Sequence, residues 1–462
     1  MTDSRFQRAA VLLAAVAALH GLIYVPLVHR HVTTDTDTYV ATADAIADGS
    51  YSTPLRAGFY FTYPIGFFDL TGVRFPRSPL WEAQEKQAFR TPGYPLLLAA
   101  VGGGGPGLTR HVAMLVQAIL LGLATWVLAL TVRRWWGAVP ALAATLLYAL
   151  DPYSKHYVAL VVTETLATVL AVATAYAFTR AWQERSTAWR TATGAGAAAL
   201  TLVRPAFVLA VPLVVVGAAV ARGRRLRNTQ AAAAAAAVLV APWLAWTTHV
   251  VATPVLTAWG EGFNLLLAAH GERLGFQAAE IERDPAFLAD LAASRQTAPA
   301  AAALREDPYA HPRYLRRADV ELRARARSLY SDRLRDDPGQ VVWENLYRNY
   351  FLWTAHHDWY QPDGLALAGL QLVDWVLLVL ATGGIVLAAR RSRPSFLVAL
   401  FVLAYSVTLS THHVEARFAM PLRGFLFAYV ALALTVAYAW VAERRAGARR
   451  STTAPSAGFP PM

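Results

Sequence analysis

Apolar runs of roughly the length that spans a lipid bilayer begin at Ala9 and recur almost to the end of the chain. A transmembrane helix needs about 20 such residues, and several of these runs are short and rich in Gly and Ala. The predicted spans cover residues 9–28, 111–132, 138–153, 158–179, 188–203, 206–221, 229–252, 364–389, 395–411 and 421–442. The pattern therefore predicts an all-α polytopic membrane protein with about ten transmembrane helices.

The first apolar run has two interpretations. Residues 15–17 (Ala-Val-Ala) resemble the cleavage site of a signal peptide. We favour a retained helix because the apolar run continues past this site through Ile23. Arg5 and Arg8 precede the run and are expected to hold the N-terminus in the cytoplasm.

The arginines between the spans support the same topology. With ten crossings they all fall on the cytoplasmic side, as the positive-inside bias requires. They are residues 133, 134, 180, 185, 190, 222, 224, 225, 227, 390, 391, 393, 444 and 445.

Two larger stretches lie outside the membrane in this topology, and the second of them is expected to be helical. It contains Asp284-Pro285, Asp307-Pro308 and Asp337-Pro338, in which the aspartate can cap a helix and the proline fits the first turn. Its arginine-rich part also contains acids, which favours a solvated helix face. The predicted divisions are an N-terminal transmembrane module (1–253) with a first outer loop (29–98), an extracytoplasmic helical domain (254–363), C-terminal transmembrane helices (364–442) and a disordered cytoplasmic tail (443–462).

The composition narrows the class of protein further. With 56% hydrophobic and 16% charged residues, the chain of 462 residues is too apolar for a soluble enzyme of this length. The net charge of +12 lies in short arginine blocks, so membrane topology explains it better than nucleic-acid binding. Because the chain has no cysteine, disulfides, zinc–thiolate sites and thiol catalysis are excluded.

The first outer loop contains the candidate chemistry. Asp35 and Asp37 follow the first apolar run, ahead of an amphipathic helix that is expected to end at Gly49 and to lie on the outer membrane surface. Asp37 is explained equally well as the N-cap of this helix or as a catalytic carboxylate. Asp35 has no such structural duty and is the better candidate for a general base.

At the end of the same loop, Arg90 precedes a Thr-Pro-Gly-Tyr-Pro turn that contains Tyr94. Pro92 and Pro95 break the chain before it re-enters the membrane, and arginine is common at a lipid–water boundary, so a purely structural interpretation stays open. The functional interpretation rests on the combination of a planar cation, which is a good phosphate ligand, with a rigid turn and a phenol.

These motifs resemble those of the GT-C class of integral-membrane glycosyltransferases, which includes dolichyl-phosphate-mannose protein mannosyltransferases and the lipid A aminoarabinose transferase. The most specific match is the Arg-x-Pro-x-Tyr-Pro motif at residues 90–95. The other matches, in chain order, are Asp35 to Gly49, Thr163-Glu164-Thr165, Leu202-Val-Arg204-Pro205, Pro242-Trp243, Gly262-Phe-Asn264-Leu265 and Glu415-Ala-Arg417-Phe418-Ala-Met-Pro421. Many relatives have a glutamate where this chain has Thr36, which leaves open whether Asp35, Asp37 or both carry the reaction.

The resemblance implies transfer of a sugar from a polyprenyl-phosphate-linked donor to an acceptor hydroxyl on the extracytoplasmic face, by a single inverting displacement. The implied roles are general base for Asp35 or Asp37, donor-phosphate binding for Arg90, Tyr94, Arg204 and Arg417, and support for Lys155, His156, Glu164 and Glu415. For Arg204 and Arg417 a structural ion pair with a glutamate is an equal alternative, because unpaired charges are costly at membrane depth.

We assign no metal from the sequence. Asp35 with Asp37, or His412, His413 and Glu415, can supply ligands for a divalent ion, but adjacent histidines often point in different directions. No other cofactor is expected. The expected partners are the lipid-linked donor, membrane lipid and an acceptor that is a glycan, a lipid or a protein, with no nucleic acid. The expected location is the inner or plasma membrane.

Three other functions fit the sequence less well. A secondary transporter or lipid flippase predicts ionisable residues near helix centres, whereas most charges here lie at helix ends. A non-catalytic envelope assembly protein does not explain why acids, arginine and tyrosine concentrate in the first outer loop. The sequence does not distinguish well between a ligase that moves a whole lipid-linked glycan and a transferase that moves one sugar.

Overall fold

The computed structural model describes residues 2–28, 34–49, 51, 90–102, 106–212, 225–257, 261–271, 284–293, 310–354 and 365–452. The regular elements in these stretches are helices, which confirms the predicted all-α polytopic membrane fold. The α-helices are α1 (Asp3–Val28), α2 (Thr34–Ala47), α3 (Gly93–Gly102), α4 (Pro106–Trp136), α5 (Ala138–Leu150), α6 (Pro152–His156), α7 (Glu164–Glu184), α8 (Thr187–Val203), α9 (Arg225–Val251), α10 (Glu261–Ala269), α11 (Pro285–Ala293), α12 (Ala310–Asp336), α13 (Pro338–Trp353), α14 (Leu365–Arg391), α15 (Arg393–Ser410) and α16 (Arg423–Thr452).

Six helices of the described residues are long and apolar enough to cross a membrane. They lie within α1, α4, α9, α14, α15 and the 3₁₀ turn Ala416–Leu422 continued by α16. Helices α3 and α5 are apolar but shorter. The predicted span 206–221 lies largely outside the described residues, as does much of the first outer loop. Helix α16 continues to Thr452, so residues 443–452 of the predicted disordered tail are helical, and residues 453–462 lie outside the described part of the chain. The count of ten crossings therefore stays a prediction.

The two ends of the helical bundle contain different ion pairs. At one end Arg133, in the last turn of α4, pairs with Asp3 at the start of α1, and Arg134 donates to Oε1 of Gln183 at 3.0 Å. This contact brings together arginines that the sequence places on one side of the membrane. We call the opposite end, where α5 ends and α16 begins, the site end.

One predicted span is wrong at its start. The span 158–179 was expected to be helical throughout, but α7 begins only at Glu164 and residues 157–163 form a buried irregular segment. The side-chain amide of Gln117 donates to the carbonyls of Val158 and Leu160 at 3.0 and 2.7 Å. Irregular backbone is tolerated at such depth when the protein satisfies its polar groups, and here Gln117 does so. The segment presents Glu164 at the site end.

The turn at residues 90–93 packs closely against the end of α8. A Cβ on Gly93 would lie 2.7 Å from a methyl group of Val203 and 2.9 Å from the Leu202 carbonyl oxygen, so only glycine fits this approach. Thr91 also donates to the Val203 carbonyl at 3.4 Å. The two motifs that contain Arg90 and Arg204 are therefore joined by backbone packing.

Helices α10, α11 and α12 pack around a small apolar core of their own, composed of Leu266, Leu267, Ala269, Phe287, Leu322 and Ala326. Helices α11 and α13 begin at the predicted Asp-Pro signals, with the caps Asp284 and Asp337 accepting backbone N–H groups at 2.7 and 2.8 Å. The Asp307-Pro308 signal lies outside the described residues. The division of the chain into four domains stays a prediction.

Candidate functional site

Three carboxylates and three guanidinium groups meet at the site end of the bundle. They come from α2, the turn before α3, the start of α7, the end of α8 and the segment around the 3₁₀ turn Ala416–Leu422. Their residues are Asp35, Glu164 and Glu415 with Arg90, Arg204 and Arg417. We call this set the charged cluster, and it unites segments that are far apart in the sequence.

Asp35 lies between two arginines. Its Oδ1 accepts a hydrogen bond from Nη2 of Arg90, and its Oδ2 lies 2.8 Å from Nη1 of Arg417. Thr38, one turn further along α2, donates to the Asp35 carbonyl at 2.8 Å and accepts from Nε of Arg90 at 3.2 Å. The side chain of Asp35 is 23% exposed, so the carboxylate is fixed by its partners but remains accessible.

Arg417 contacts all three carboxylates of the charged cluster. Besides Asp35, it binds Glu415 through Nε and Nη2, the latter 3.0 Å from Oε1. Its Nε also lies 3.9 Å from Oε1 of Glu164. Nε2 of His413 lies 3.3 Å from the same Glu415 oxygen, so the glutamate is oriented from two sides. Arg417 is therefore the central cation of the site.

Arg204 forms the deepest ion pair of the cluster. Its Nη1 lies 2.8 Å from Oε1 of Glu164, whose side chain is buried, and 3.3 Å from Oγ1 of Thr163. The guanidinium lies over the ring of Phe418 at 4.9 Å. Both arginines therefore form the ion pairs with glutamate that were the structural alternative for Arg204 and Arg417. The phosphate-binding role of both arginines stays a prediction.

Tyr94 points into the core. Its hydroxyl donates to Oε1 of Gln117 at 2.8 Å, and its side chain is fully buried. The ring packs edge-on against Tyr39 at 5.1 Å, and the Tyr39 ring lies 4.6 Å from the guanidinium carbon of Arg90. Tyr94 therefore supports Arg90 through Tyr39, with its hydroxyl already engaged elsewhere.

The arginines control the ionisation of the carboxylates. Burial alone would raise the pKa of Asp35, but the guanidiniums of Arg90 and Arg417 outweigh it and hold the pKa well below its usual range. Burial likewise opposes the charged form of Glu415, yet Arg417 and His413 lower its pKa to about 2. Asp35 is therefore ionised at neutral pH and is a weak base while both arginines bind it.

A second buried ion pair lies beside the charged cluster. Nε of Arg423 lies 3.0 Å from Oδ2 of Asp151, and Nη2 lies 3.0 Å from Oδ1. Asp151 also caps α6, because its carboxylate accepts the backbone N–H of Ser154. Arg423 is the residue directly after the 3₁₀ turn that carries Arg417. The pair fixes that turn to the end of α5 across 272 residues of sequence.

Lys155 and His156 belong to this second region. Nζ of Lys155 donates to the Tyr148 carbonyl at 2.5 Å and to Ser154 Oγ at 2.8 Å, and the side chain is fully buried. The His156 ring packs edge-on against Tyr157 at 5.5 Å. Their contacts thus stabilise the α5–α6 turn, and their expected support of the donor site stays a prediction.

Arg423→Ala is expected to destabilise the protein by about 3–5 kcal/mol, because it leaves the Asp151 carboxylate buried without its partner. Asp151→Ala combined with Arg423→Ala should cost less than the two single changes added together. Thermal unfolding in detergent measures all three variants, with the exposed Arg335→Ala as the control that should stay within about 0.5 kcal/mol. If the destabilisation of the double variant equalled the sum of the two single variants, the assigned ion pair would be contradicted.

Burial lowers the pKa of Lys155 to about 8, below its ordinary value near 10.5, despite the nearby Asp151. The folded protein then releases this proton at lower pH than the unfolded chain, so stability should rise as pH increases above 8. Between pH 8 and 9.5 the gain is about 1.5 kcal/mol, and Lys155→Met should lack it. Melting temperatures of both proteins across this range test the expectation. A difference in melting temperature between the two proteins that does not change with pH would contradict it.

Helix α2 begins at Thr34, so Asp37 is its fourth residue and the N-cap interpretation of Asp37 is wrong. The side chain of Asp37 lies outside the described part of the chain. The helix ends near Gly49, whose positive φ of 82° confirms the expected stop. In the described ranges no three His, Asp or Glu side chains are grouped to hold a metal ion. The metal therefore remains unassigned.

Sequence reasoning missed two residues that organise the site. Gln117 is the single amide within the predicted span 111–132, and polar residues inside a span usually have a defined partner, so its position was a usable signal. Arg423 follows the Glu415–Pro421 motif closely, but no local sequence signal connects it to its partner Asp151. Only the fold brings these two together.

A family model supports the expected class of protein. The model described as dolichyl-phosphate-mannose-protein mannosyltransferase matches residues 106–246, which is less than a third of the chain. The matched segment contains Lys155, Glu164 and Arg204 and excludes Asp35 and Arg417. Comparison with curated proteins gave no match.

One solved structure has a similar fold. The archaeal oligosaccharyltransferase AglB from Archaeoglobus fulgidus, in complex with an inhibitory peptide and a dolichol-phosphate, is 15% identical, with a TM-score of 0.53 over 97% of this chain and 52% of that chain. The chain thus spans about half the length of AglB. ArnT from Cupriavidus metallidurans bound to undecaprenyl phosphate is 15% identical, with a TM-score of 0.36 over 92% of this chain and 77% of that chain. The family model and the AglB-like fold together confirm the predicted resemblance to the GT-C class of integral-membrane glycosyltransferases.

Proposed function

We propose that the protein transfers a sugar from a polyprenyl-phosphate-linked donor to an acceptor hydroxyl on the extracytoplasmic face of a cell membrane. The observation that carries the proposal is the accessible Asp35 carboxylate held between Arg90 and Arg417. Transfer from a phosphate needs a base beside the nucleophile and cations beside the leaving group, and this arrangement supplies both. The mannosyltransferase family match and the fold of a protein solved with dolichol-phosphate support the same reaction class.

The proposed reaction is one displacement at the anomeric carbon. The acceptor oxygen forms a bond to that carbon while the bond from the carbon to the phosphate oxygen breaks, and the electron pair leaves with the lipid phosphate. Asp35 takes the proton of the acceptor hydroxyl. Arg90 and Arg417 stabilise the charge that develops on the phosphate. Because the reaction is a single displacement, the anomeric configuration inverts.

The pairing of Asp35 with two arginines implies that the donor binds before Asp35 acts as a base. A donor phosphate competes for the same guanidinium N–H groups, because phosphate and carboxylate are both good partners for arginine. When an arginine binds the phosphate instead of Asp35, the pKa of Asp35 rises and the carboxylate becomes a better proton acceptor. Donor binding thereby activates the base that the transfer requires.

The other residues of the cluster are proposed to position these groups. Glu415 holds Arg417 through two nitrogens, and Glu164 holds Arg204 in the wall of the site. Arg204 completes the positive surface for the phosphate. Tyr94 is proposed to position Arg90 through Tyr39, because its hydroxyl is used by the core.

The location of the charges argues against the transporter alternative. The charged cluster lies where helices α2, α7 and α8 begin or end and beyond the end of α15. A transporter would instead need its ionisable groups near the middle of the spans. The partners proposed here are the lipid-linked donor and a hydroxyl of a glycan, lipid or protein.

The test is transfer by purified protein in liposomes from a panel of radiolabelled polyprenyl-phosphate sugars, with and without chelator. Wild type and Asp48→Asn, an exposed position on the same segment, should transfer label, and Asp35→Asn should not. Transfer only from a diphosphate-linked oligosaccharide would overturn the monosaccharide reaction in favour of a ligase. No transfer from any donor, together with uptake of a labelled solute, would overturn the enzyme in favour of a transporter.

A further inference from the structure

Helix α13 is amphipathic in the opposite sense to a helix on a water-soluble domain. Its charged residues Glu344 and Arg348 are 2% and 0% exposed, whereas Val342, Trp343 and Leu346 are 53%, 56% and 60% exposed. A helix that buries its charges and exposes its apolar face is not placed against water on that face. The exposed face therefore needs an apolar environment.

The buried charges of α13 contact neighbouring helices. Nη2 of Arg333 in α12 lies 2.7 and 2.8 Å from the two carboxylate oxygens of Glu344. Nη1 of Arg348 donates to the carbonyl of Ala268 in α10 at 3.2 Å. These contacts fix which face of α13 turns inward, and they leave the apolar face turned outward.

The C-terminal half of α13 reaches the level of the membrane spans. Nε1 of Trp353 donates to Oγ of Ser406 at 3.0 Å, four residues before the end of the candidate span Arg393–Ser410. The ring of Tyr350 stacks on Trp375 with centroids 4.9 Å apart, and Trp375 lies inside the span Gln371–Arg391. The C-terminal end of helix α13 therefore meets the bundle at the depth where the spans end.

Aromatic rings continue from that contact along α13. The centroid distances are 6.2 Å from Tyr350 to Tyr347 and 6.3 Å from Tyr347 to Trp343. On α14 the exposed residues beside Trp375 include Leu372 and Val376, so the apolar surface of the span is continuous with that of α13. Tyrosine and tryptophan are enriched where hydrocarbon meets water.

We propose that α13 lies in the lipid–water interface of the bilayer at the site end, with Val342, Trp343 and Leu346 in the lipid. Continuity with the lipid-facing surface of α14 identifies the occupant as lipid rather than another protein. The helix thereby anchors α10 and α12 to the membrane. Helix α10 in turn contacts the loop that carries Glu415, because the backbone carbonyl of Asn264 accepts a hydrogen bond from the His413 backbone N–H at 2.9 Å. The inference stands independently of the proposed reaction.

The absence of cysteine from the chain permits a direct test without background labelling. Single cysteines replace Val342 or Leu346, with Val379→Cys as the lipid-facing control within a span and Arg335→Cys as the water-facing control on α12. The full-length variants carry a nitroxide label in phosphatidylcholine liposomes. Collision rates with oxygen, which concentrates in lipid, and with a water-soluble nickel chelate are measured at each position.

We expect positions 342 and 346 to behave like 379, with a ratio of oxygen to nickel collisions several-fold above that at 335. A ratio equal to that at 335 would place the face in water and overturn the proposal. Low collision rates with both reagents would show that protein covers the face and would also overturn it. All four positions are exposed, so the label itself should not disturb the fold, and unchanged melting of each variant verifies this.

Discussion

Asp35→Asn is expected to lower the rate of sugar transfer by about 10²–10⁴-fold, the usual contribution of a general base. Asparagine keeps the shape of the side chain but does not accept the acceptor's proton at this site. Donor binding should be unchanged or tighter, because Arg90 and Arg417 lose a carboxylate that competes with the phosphate. Single-turnover transfer gives the rate, and binding of polyprenyl phosphate gives the affinity.

Asp48→Asn is the matched control for this change, since Asp48 is an exposed carboxylate just after the same helix. It should leave both the rate and the affinity as in the wild type. A merely structural role for Asp35 would show itself as weaker donor binding and a lower melting temperature. Full transfer activity of Asp35→Asn would remove Asp35 from the catalytic role.

Arg90→Ala is expected to weaken donor binding by roughly 10–100-fold, because a hydrogen bond to a charged group contributes about 1.5–3 kcal/mol. The change should appear mainly in KM for the donor. Arg90 also helps to hold the pKa of Asp35 low, so its removal should raise that pKa. The acid limb of the pH–rate profile should therefore move to higher pH than in the wild type.

Arg133→Ala is the matched control for Arg90→Ala, because Arg133 is paired with Asp3 at the opposite end of the bundle. It should leave both the donor KM and the acid limb unchanged. Arg90→Lys should restore part of the affinity, since lysine keeps the charge but lacks the planar pair of donors. An Arg90→Ala enzyme with wild-type KM and pH profile would contradict the phosphate assignment.

The local patterns in the sequence were sufficient for several helix bounds. The span 188–203 corresponds closely to α8 (Thr187–Val203), because apolar periodicity ends where Arg204 and Pro205 follow. The Asp-Pro signals located the starts of α11 and α13 for the same reason, since capping is a local interaction. Where neighbouring residues decide the structure, the sequence was informative.

Contacts between helices determined the helix bounds that the sequence did not predict. Residues 158–163 have the hydropathy of a helix, but Gln117 from α4 satisfies an irregular backbone there instead. The start of α2 at Thr34 likewise rules out the N-cap that was one of two alternatives for Asp37. Periodicity reports which positions are buried and does not report which side chain of another helix binds the backbone.

The candidate site shows the same limit. The motifs singled out Asp35, Arg90 and Arg417 one by one, and the resemblance to a known class supplied their expected roles. The sequence did not indicate that Arg417 contacts three carboxylates at once, or that the Tyr94 hydroxyl binds Gln117. Both facts depend on packing between separate helices, and the contacts of Arg417 with Asp35 and Glu164 join segments hundreds of residues apart. The catalytic roles of these residues remain predictions.

The most direct test of the central claim is the anomeric configuration of the sugar that the reconstituted enzyme transfers from a polyprenyl-phosphate donor of known configuration. NMR of the product after a single turnover gives the answer. We expect an inverted anomeric centre in the wild type and product formation slower by about 10²–10⁴-fold in Asp35→Asn, as a single displacement with Asp35 as base requires. A product with retained configuration would contradict the account, because it would demand a covalent glycosyl intermediate or a different donor chemistry.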